Sequence, residues 1–322
     1  MLTMEENDDD ADPVPEGMES EAVKKHRLDC YRKAGRIAGM AREFGATLIK
    51  EKVSLLEVAN KVEAYIVEKG ARPAFPVNIA INDVAAHFTP RHDDADLVFQ
   101  RGDLVKLDVG AHVEGYIGDT AMTVEVSTTV QTDLIRAAKE ALQVAIEMVR
   151  PGVDVSRIGA AVEQTIKGYG LKPIRNLTGH GLRKYKLHGS PSVPNVKDRS
   201  KDVIKEGTFV ALEPFSTTGV GEVDGKKNSN IYHFVKKKTF FTSRDAAGLQ
   251  KYIMEKHELL PFAERWCYQA TKAPEGALGV LTRAGSISYY PILKEIDEGM
   301  VAQAEHTVHV TANGAEIMTV SK

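Results

Sequence analysis

Four acidic residues lie in short apolar segments that are typical of buried β-strands. They are Asp108, Asp119, Glu213 and Glu305. Burying a carboxylate is unfavourable unless it is paired with a cation or bound to a metal ion. A single acid of this kind could be explained by an ion pair or by backbone hydrogen bonds. Four such acids in one chain favour a metal-binding or acid–base site.

The spacing of the first two acids adds a geometric hypothesis. Segments 103–109 and 116–126 read as an antiparallel hairpin that turns at Val113-Glu114, which would place Asp108 directly opposite Asp119. Directly opposed residues share one face of a sheet, with Cβ atoms about 4.5–5.5 Å apart. Two carboxylates at that separation could bind a metal pair about 3.5–4 Å apart. The alternative is an ordinary hairpin with two solvent-facing acids, although apolar residues flank both positions.

The ten histidines of the chain need a stricter test, because an isolated histidine is more often a surface or hydrogen-bonded residue than a catalyst. His87, His180 and His188 stand out only through the motifs around them, and His233 is intermediate. Sequence context gives no functional role to the remaining six.

The composition of the chain, whose helices and strands must position these residues, is typical of an intracellular, water-soluble protein. The 322 residues are 43% hydrophobic, enough for a large core. No run approaches the roughly 18 apolar residues of a membrane span, and the first residues lack a signal-peptide pattern. Two cysteines cannot form a disulfide framework, which is typical of a reducing compartment. We therefore expect a cytoplasmic protein without a membrane partner.

The net charge of -3 is unevenly distributed. Residues 1–22 contain nine acids and no lysine or arginine, so they are predicted to be a disordered acidic tail. The rest of the chain, 23–322, is mildly basic, which is a weak argument for an RNA-rich neighbour.

Helices and strands alternate irregularly along 23–322, without a glycine-rich βα turn, which favours an α+β fold. Helices are predicted over 21–50, 132–150 and 156–167 from apolar periodicity. The rhythm changes at about 231–289, where helical segments near 244–258 and 274–284 indicate an inserted helical subdomain.

Six motifs carry a family resemblance, and they occur in order with family-like spacing. They are Ala85-Ala86-His87-Phe88-Thr89-Pro90, Lys106-Leu107-Asp108-Val109-Gly110, Gly118-Asp119-Thr120-Ala121, Leu177-Thr178-Gly179-His180-Gly181-Leu182, Leu212-Glu213-Pro214-Phe215 and Gln303-Ala304-Glu305-His306-Thr307. From about residue 23 onward the chain resembles the type 2 methionine aminopeptidases in their short archaeal form. The resemblance implies the pita-bread fold, with two pseudo-symmetric α+β halves around a curved antiparallel sheet.

The resemblance also assigns roles to individual residues. It implies that the metal ligands are Asp108, Asp119, His180, Glu213 and Glu305. It implies catalytic roles for His87, His188 and Glu213, where Glu213 shuttles a proton and the histidines contact the substrate carbonyl. The methionine pocket would be lined by Phe75, Leu187, His233 and Tyr290 together with His87 and His188. Asn78 and Ile79 depart from the smaller residues of some relatives, so the pocket shape is left open.

Four carboxylates and one imidazole form a hard, oxygen-rich donor set, which suits Mn, Fe(II) or Co better than structural zinc. The resemblance implies two divalent ions, among Co, Mn, Fe(II) or Zn. A bridging hydroxide would attack the scissile carbonyl and release an N-terminal methionine when the second residue is small. The expected partners are the N-terminal methionine of peptides and nascent chains, with transient ribosome association, no DNA, and a monomeric protein.

Two other functions fit the same fold. Prolidases and aminopeptidases P use a similar five-ligand metal site on X-Pro bonds, but usually carry a long N-terminal domain before the first motif. Other pita-bread proteins have lost their ligands and bind RNA, ribosomes or histones. All five ligand positions here hold competent residues, which argues against that second function.

Overall fold

The computed structural model describes residues 20–225, 227–241 and 243–321. The predicted acidic tail, 1–22, lies almost wholly outside the described residues. The helices are α1 (Glu21–Leu48), α2 (Leu55–Glu68), α3 (Thr132–Met148), α4 (Val155–Gly168), α5 (Arg244–Lys256) and α6 (Pro274–Arg283), with a 3₁₀ helix at Glu264–Gln269.

Short strands make up most of the remainder. They are β1 (Arg72–Pro73), β2 (Asn78–Ile81), β3 (Val84–Ala86), β4 (Leu104–Val113), β5 (Tyr116–Glu125), β6 (Lys172–Pro173), β7 (Thr178–Arg183), β8 (Lys186–Pro194), β9 (Phe209–Leu212), β10 (Phe215–Thr217), β11 (Val223–Asp224), β12 (Asn228–Phe234), β13 (Phe262–Ala263), β14 (Ile287–Pro291), β15 (Leu293–Glu295), β16 (Val301–Gln303), β17 (His306–Thr311) and β18 (Gly314–Ile317).

The first half of the molecule packs α1 and α2 against a four-stranded sheet. In this sheet β4 pairs with β5 along one edge and with both β1 and β2 along the other edge. Ser20 caps the N-terminus of α1, and its side chain accepts a hydrogen bond from the backbone N–H of Val23. The apolar stripe of α1 and that of α2 enclose a core with Ile37, Val62 and Leu107, all at most 3% exposed. The long strands β4 and β5 are therefore covered by helices on one face.

The second half repeats this arrangement with α3 and α4 on a five-stranded sheet of order β18-β17-β9-β7-β8. Asp154 caps α4, and its side chain accepts a hydrogen bond from the backbone N–H of Ser156. Ile158, Val210 and Val308 are fully buried between the two helices and the sheet.

The two halves join where β5 runs beside β17. The hydroxyl of Thr307 accepts from the backbone N–H of Asp119 and donates to its carbonyl oxygen, both at 2.8 Å. Thr120 Oγ1 donates to the carbonyl of Glu305, and the backbone N–H of Glu305 donates to the carbonyl of Ala121. These bonds fix two of the predicted ligands relative to each other. Two helix-covered antiparallel sheets joined in this way form the α+β pita-bread architecture that the motifs imply.

The segment between β12 and β14 has a small core of its own. Helices α5 and α6 fall within the stretches predicted as helical, and they enclose Leu249, Phe262 and Leu281. Strands β13, β12 and β14 form a three-stranded sheet on which these helices lie. The assignment of this segment as an inserted subdomain stays a prediction. No helix among the described residues is long and apolar enough to cross a membrane.

Candidate active site

Five side chains converge from separate strands and turns of the two halves. Asp108 lies on β4, Asp119 on β5, His180 on β7, Glu213 just after β9, and Glu305 between β16 and β17. All five line one cavity that opens to solvent. The structure therefore brings together the complete set of predicted metal ligands.

The register of the β4–β5 hairpin corrects one prediction. Asp108 pairs with Ala121 and Asp119 pairs with Gly110, so the two aspartates are diagonal neighbours rather than directly opposite residues. The cause is the turn, which is formed by Glu114 and Gly115, both with positive φ, instead of Val113-Glu114. The shift moves the pairing by two residues, so both side chains stay on one face.

The ligand atoms lie close enough to share an ion. His180 Nε2 is 3.4 Å from Glu213 Oε1 and 3.8 Å from Asp119 Oδ2. Asp119, His180 and Glu305 each offer a ligand atom, and these atoms all lie within 4.8 Å of one another. All three side chains are buried.

Crowding of buried acids makes the negative charge of this site costly. Burial, followed by the charge of Asp119, raises the pKa of Asp108 well above its usual value. Burial raises the pKa of Asp119 to about 7. Burial and the neighbouring aspartates also raise the pKa values of Glu213 and Glu305 well above the usual range. A bound cation would remove this penalty.

Carboxylate oxygens without hydrogen-bond partners are consistent with a cation site. Among the described residues, Asp108 Oδ1 and Asp119 Oδ1 are buried without a hydrogen-bond partner. Unsatisfied buried acceptors are rare in native proteins unless an ion or water completes them. Oxygen-rich donors with one imidazole are what hard divalent ions prefer. The residues present therefore fit a divalent metal centre.

Sequence reasoning did not give a role to Gln303, whose side-chain amide braces two of the acids. Its Nε2 donates to Glu305 Oε2 at 3.2 Å and to Glu213 Oε2 at 3.4 Å. Gln303 stands two residues before Glu305, and residues two apart in an extended segment share a face. That alternation was the signal that could have identified it.

The comparisons with known proteins agree with this geometry. The model of the metallopeptidase family M24 matches residues 29–312. The chain belongs to the metallopeptidase family M24. A methionine aminopeptidase of Methanocaldococcus jannaschii is 46% identical over 286 residues, which cover 89% of this chain and 96% of that protein. A methionine aminopeptidase of Archaeoglobus fulgidus shows the same identity and coverage. The family resemblance read from the motifs is confirmed.

Solved structures of M24 members show the same fold. The crystal structure of the methionine aminopeptidase of Thermotoga maritima superimposes with a TM-score of 0.67 at 23% identity. The match covers 92% of this chain and 97% of that one. Membership in a metallopeptidase family makes this chain a metal-dependent peptidase and confirms the use of divalent metal.

Two histidines of this M24 peptidase reach the cavity without belonging to the ligand set. Burial lowers the pKa of His87 to about 4, although a hydrogen bond with the backbone of Pro291 opposes the shift. Burial, with His180 and His87 nearby, lowers the pKa of His188 well below its usual value. Both imidazoles are therefore neutral at pH 7, and each carries a single N–H. The N–H of His87 donates to the backbone carbonyl of Pro291, and its Nδ1 is buried without a hydrogen-bond partner.

The predicted methionine pocket is only partly as expected. Phe75, Leu187 and Tyr290 line the cavity, whereas His233 is not among the described residues that do so. The His233 ring packs on Tyr290, with ring centroids 5.0 Å apart, so it contacts a residue of the cavity wall. Its place in the methionine pocket stays a prediction. Strand alternation over β12 does not reveal which residue of another element a side chain contacts, so this contact could not be predicted from the sequence.

Several lining residues had no predicted role. They are Asn78, Ala86, Ile231 and Pro261. Asn78 pairs in register with Asp108 and its amide donates to the carbonyl of Pro76, so it is held beside the acids. Ile79, the other position left open, is fully buried in the core and does not line the cavity.

Proposed function

We propose that this chain removes a single N-terminal methionine from peptides and nascent chains whose second residue is small. The observation that carries the proposal is the convergence of five metal-ligand side chains in a cavity lined by Phe75, Leu187 and Tyr290. Archaeal relatives at 46% identity that are named methionine aminopeptidase support the same activity.

The metal centre of the proposal holds two divalent ions, among Co, Mn, Fe(II) or Zn. Asp108, Asp119, His180, Glu213 and Glu305 would bind them. When bound, the ions would supply Lewis-acid polarisation of the scissile carbonyl and a nucleophilic water at neutral pH. The four carboxylates balance the charge of two divalent ions. Without metal the pKa values of Asp108 and Glu305 are raised, which supports the need for such compensating positive charge.

Glu213 is the residue proposed to move the proton. Its carboxylate lies 3.4 Å from His180 Nε2 and accepts from Gln303, so its orientation is held from two sides. From this position it can take a proton from the attacking water and give it to the leaving amine. Gln303 positions the carboxylate without touching the substrate.

His87 and His188 are proposed as donors to the substrate carbonyl. Each neutral ring has one N–H, and stabilisation of a developing oxyanion needs such donors. For His87 the proposal requires this N–H to turn from the Pro291 carbonyl to the substrate carbonyl. The His188 ring lies edge-on to His180, with centroids 4.6 Å apart, and His87 lies 5.1 Å from Tyr290. Both rings therefore stand between the proposed ligands and the proposed methionine pocket.

The proposed side-chain specificity follows from the apolar walls of the cavity. Phe75, Leu187 and Tyr290 can enclose an unbranched thioether, and its burial would contribute roughly 1.5–3 kcal/mol. Ile231 and Pro261, from the segment predicted to be an insertion, narrow the same cavity. We expect this narrowing to restrict the second residue of the substrate to small side chains.

The deciding experiment compares three peptides after each metal is added back to chelated enzyme. Met-Ala-Ser should be cleaved far faster than Ala-Pro-Ala, and Met-Lys peptides should be nearly inert. A preference for Ala-Pro-Ala would instead assign the X-Pro activity of prolidase-like enzymes. No cleavage with any metal would favour a binding protein that has kept the fold.

We also propose a cytoplasmic monomer that associates transiently with ribosomes, where its substrates emerge. The excess of basic over acidic residues in 23–322 supports an RNA-rich neighbour. Sedimentation with ribosomes at low and high salt tests the association, because screening at about 1 M salt shortens electrostatic range to roughly 3 Å. Removal of the acidic segment 1–22 should strengthen binding if this tail competes with RNA.

A further inference from the structure

We propose that His26, Cys30 and Glu114 form a second cation site, specific for Zn²⁺ or another thiol-binding divalent ion, outside the catalytic cavity. Their Sγ, Nε2 and carboxylate oxygen atoms all lie within 4.8 Å of one another. This set combines one thiol, one imidazole and one carboxylate, which are the three ligand types of protein zinc sites.

Two of the three distances between these atoms are close to the edges of a zinc tetrahedron. Cys30 Sγ lies 3.6 Å from His26 Nε2, and His26 Nε2 lies 2.9 Å from Glu114 Oε2. Zinc–sulfur and zinc–nitrogen bonds of about 2.3 and 2.0 Å at a tetrahedral angle place sulfur and nitrogen roughly 3.5 Å apart. The corresponding nitrogen–oxygen edge is roughly 3.3 Å. These two distances therefore differ from the tetrahedral edges by only a few tenths of an ångström. The third distance, between Cys30 Sγ and the Glu114 carboxylate oxygen, is at most 4.8 Å, and the tetrahedral edge is roughly 3.6 Å, so the exposed Glu114 side chain closes any remaining gap.

The fold holds these residues on rigid elements. His26 and Cys30 are four residues apart on α1 and so lie on one face of that helix. Glu114 stands in the two-residue turn between β4 and β5, 88 residues away in sequence from His26. An ion bound here would tie α1 to the hairpin that carries Asp108 and Asp119.

A surface histidine–glutamate pair is the simpler interpretation, but it accounts for only two of the three side chains. One ring nitrogen carries either a proton or a lone pair, so Nε2 cannot form good hydrogen bonds with both the carboxylate and the thiol. Cys30 is 5% exposed, yet its sulfur points at that same nitrogen. A cation satisfies all three atoms together.

The site is open to an incoming ion. The side chains of His26 and Glu114 are 59% and 57% exposed, so the approach lies from solvent, with the sulfur beneath. Binding replaces the thiol proton, which passes to solvent, and forms bonds from the ion to sulfur, nitrogen and oxygen. The remaining coordination position would hold water.

Cobalt gives a readout specific to this site. A thiolate bound to Co²⁺ gives a near-ultraviolet charge-transfer band, and the proposed catalytic ligand set contains no cysteine. Chelated wild-type protein is titrated with Co²⁺ beside Cys30→Ser, His26→Ala and the control Cys267→Ser. Cys267 is also buried, but its Sγ contacts the carbonyl of Ala263 instead of a histidine.

Wild type and Cys267→Ser should both develop the band, and an equivalent of Zn²⁺ should bleach it. Cys30→Ser should lose the band, and His26→Ala should need at least tenfold more Co²⁺ to reach it. A wild type without the band overturns the proposal, as does a band that survives in Cys30→Ser or an unchanged titration in His26→Ala. Peptidase activity is not a readout here, so failure of this proposal is separate from failure of the proposed function.

Discussion

In the proposed active site, acidic side chains are buried although burial disfavours their charged form. Asp119, His180 and Glu305 are each at most 8% exposed, and burial raises the pKa values of both acids. A protein interior tolerates such a cluster when a cation compensates it or when protons do. Membership in a metallopeptidase family indicates the cation. The residue-scale predictions therefore remove one ligand charge, or one donor, at a time.

Asp108→Asn keeps the shape of a ligand but removes its charge. We expect loss of at least one metal ion per chain and a fall in kcat/KM of about 10²-fold or more, because even residues behind the ligands cost 10–100-fold. Folding should stay near normal, since the change also removes a buried charge. Elemental analysis and circular dichroism measure both effects. Asp133→Asn, at an exposed position on α3, is the matched control. Unchanged metal content would remove Asp108 from the ligand set.

His87→Ala should separate donation from metal binding. We expect kcat to fall about 10²–10³-fold while metal content is retained, because the change removes an oxyanion donor and no ligand. The control is His92→Ala, an exposed histidine outside the cavity. Full turnover by the His87 variant would contradict its role. His257 is a poor control, since its ring stacks on Phe262 and Trp266.

At the scale of elements, the β4–β5 hairpin sets the positions of two proposed ligands. Its register depends on a two-residue turn in which Gly115 has φ 88°. Only glycine adopts that conformation without strain. Tyr185 also packs closely on this turn, so space as well as backbone geometry requires the glycine.

Gly115→Ala tests both requirements against a matched variant. Gly102 has almost the same φ, 89°, but a Cβ added there would meet nothing within 4 Å, whereas a Cβ on Gly115 would lie 2.5 Å from the Tyr185 ring. Gly102→Ala should therefore lower the free energy of unfolding by about 1–3 kcal/mol from backbone strain alone. Gly115→Ala should cost clearly more. Urea unfolding of the two variants measures the difference. Equal decreases in the free energy of unfolding would show that the Tyr185 ring moves aside without lowering stability.

At the scale of the whole molecule, two helix-covered sheets share a junction in which threonine hydroxyls bind the backbone of the other half. Several histidines away from the cavity are buried in this body. Burial, together with the charge of Arg72, lowers the pKa of His112 to about 4. Such groups make folding stability depend on pH.

The sign of that dependence can be worked out for His112. Between pH 6.5 and about 4 the unfolded chain binds a proton at this residue and the folded chain does not. Stability is therefore full above pH 6.5 and falls as the pH drops toward 4, by roughly 3 kcal/mol from this residue. His112→Gln should flatten the fall measured by urea unfolding, whereas His92→Gln should not. An identical pH profile in the two variants would contradict the assignment to His112.

The sequence determined the family and the α+β fold class and predicted the ligand set, because these depend on residue identity and local periodicity. Asp108 and Glu305 could be singled out as acids in apolar segments without any structure. The predicted helices over 132–150 and 156–167 correspond to α3 and α4, since their apolar stripes are long and regular. Gln303 was within reach by strand alternation, although no role was assigned to it.

Tertiary structure alone decided the remaining features, because they depend on how distant segments meet. Gly115 is a turn signal in the sequence, but the hairpin register followed from positive φ at both Glu114 and Gly115, which only the structure showed. The contact between His233 on β12 and Tyr290 on β14 depends on the pairing of these two strands. The cluster of His26, Cys30 and Glu114 joins residues 88 positions apart, a proximity that only the docking of α1 on the hairpin creates. Local sequence carries period and propensity, whereas contacts between distant elements are set by the packing of the whole core.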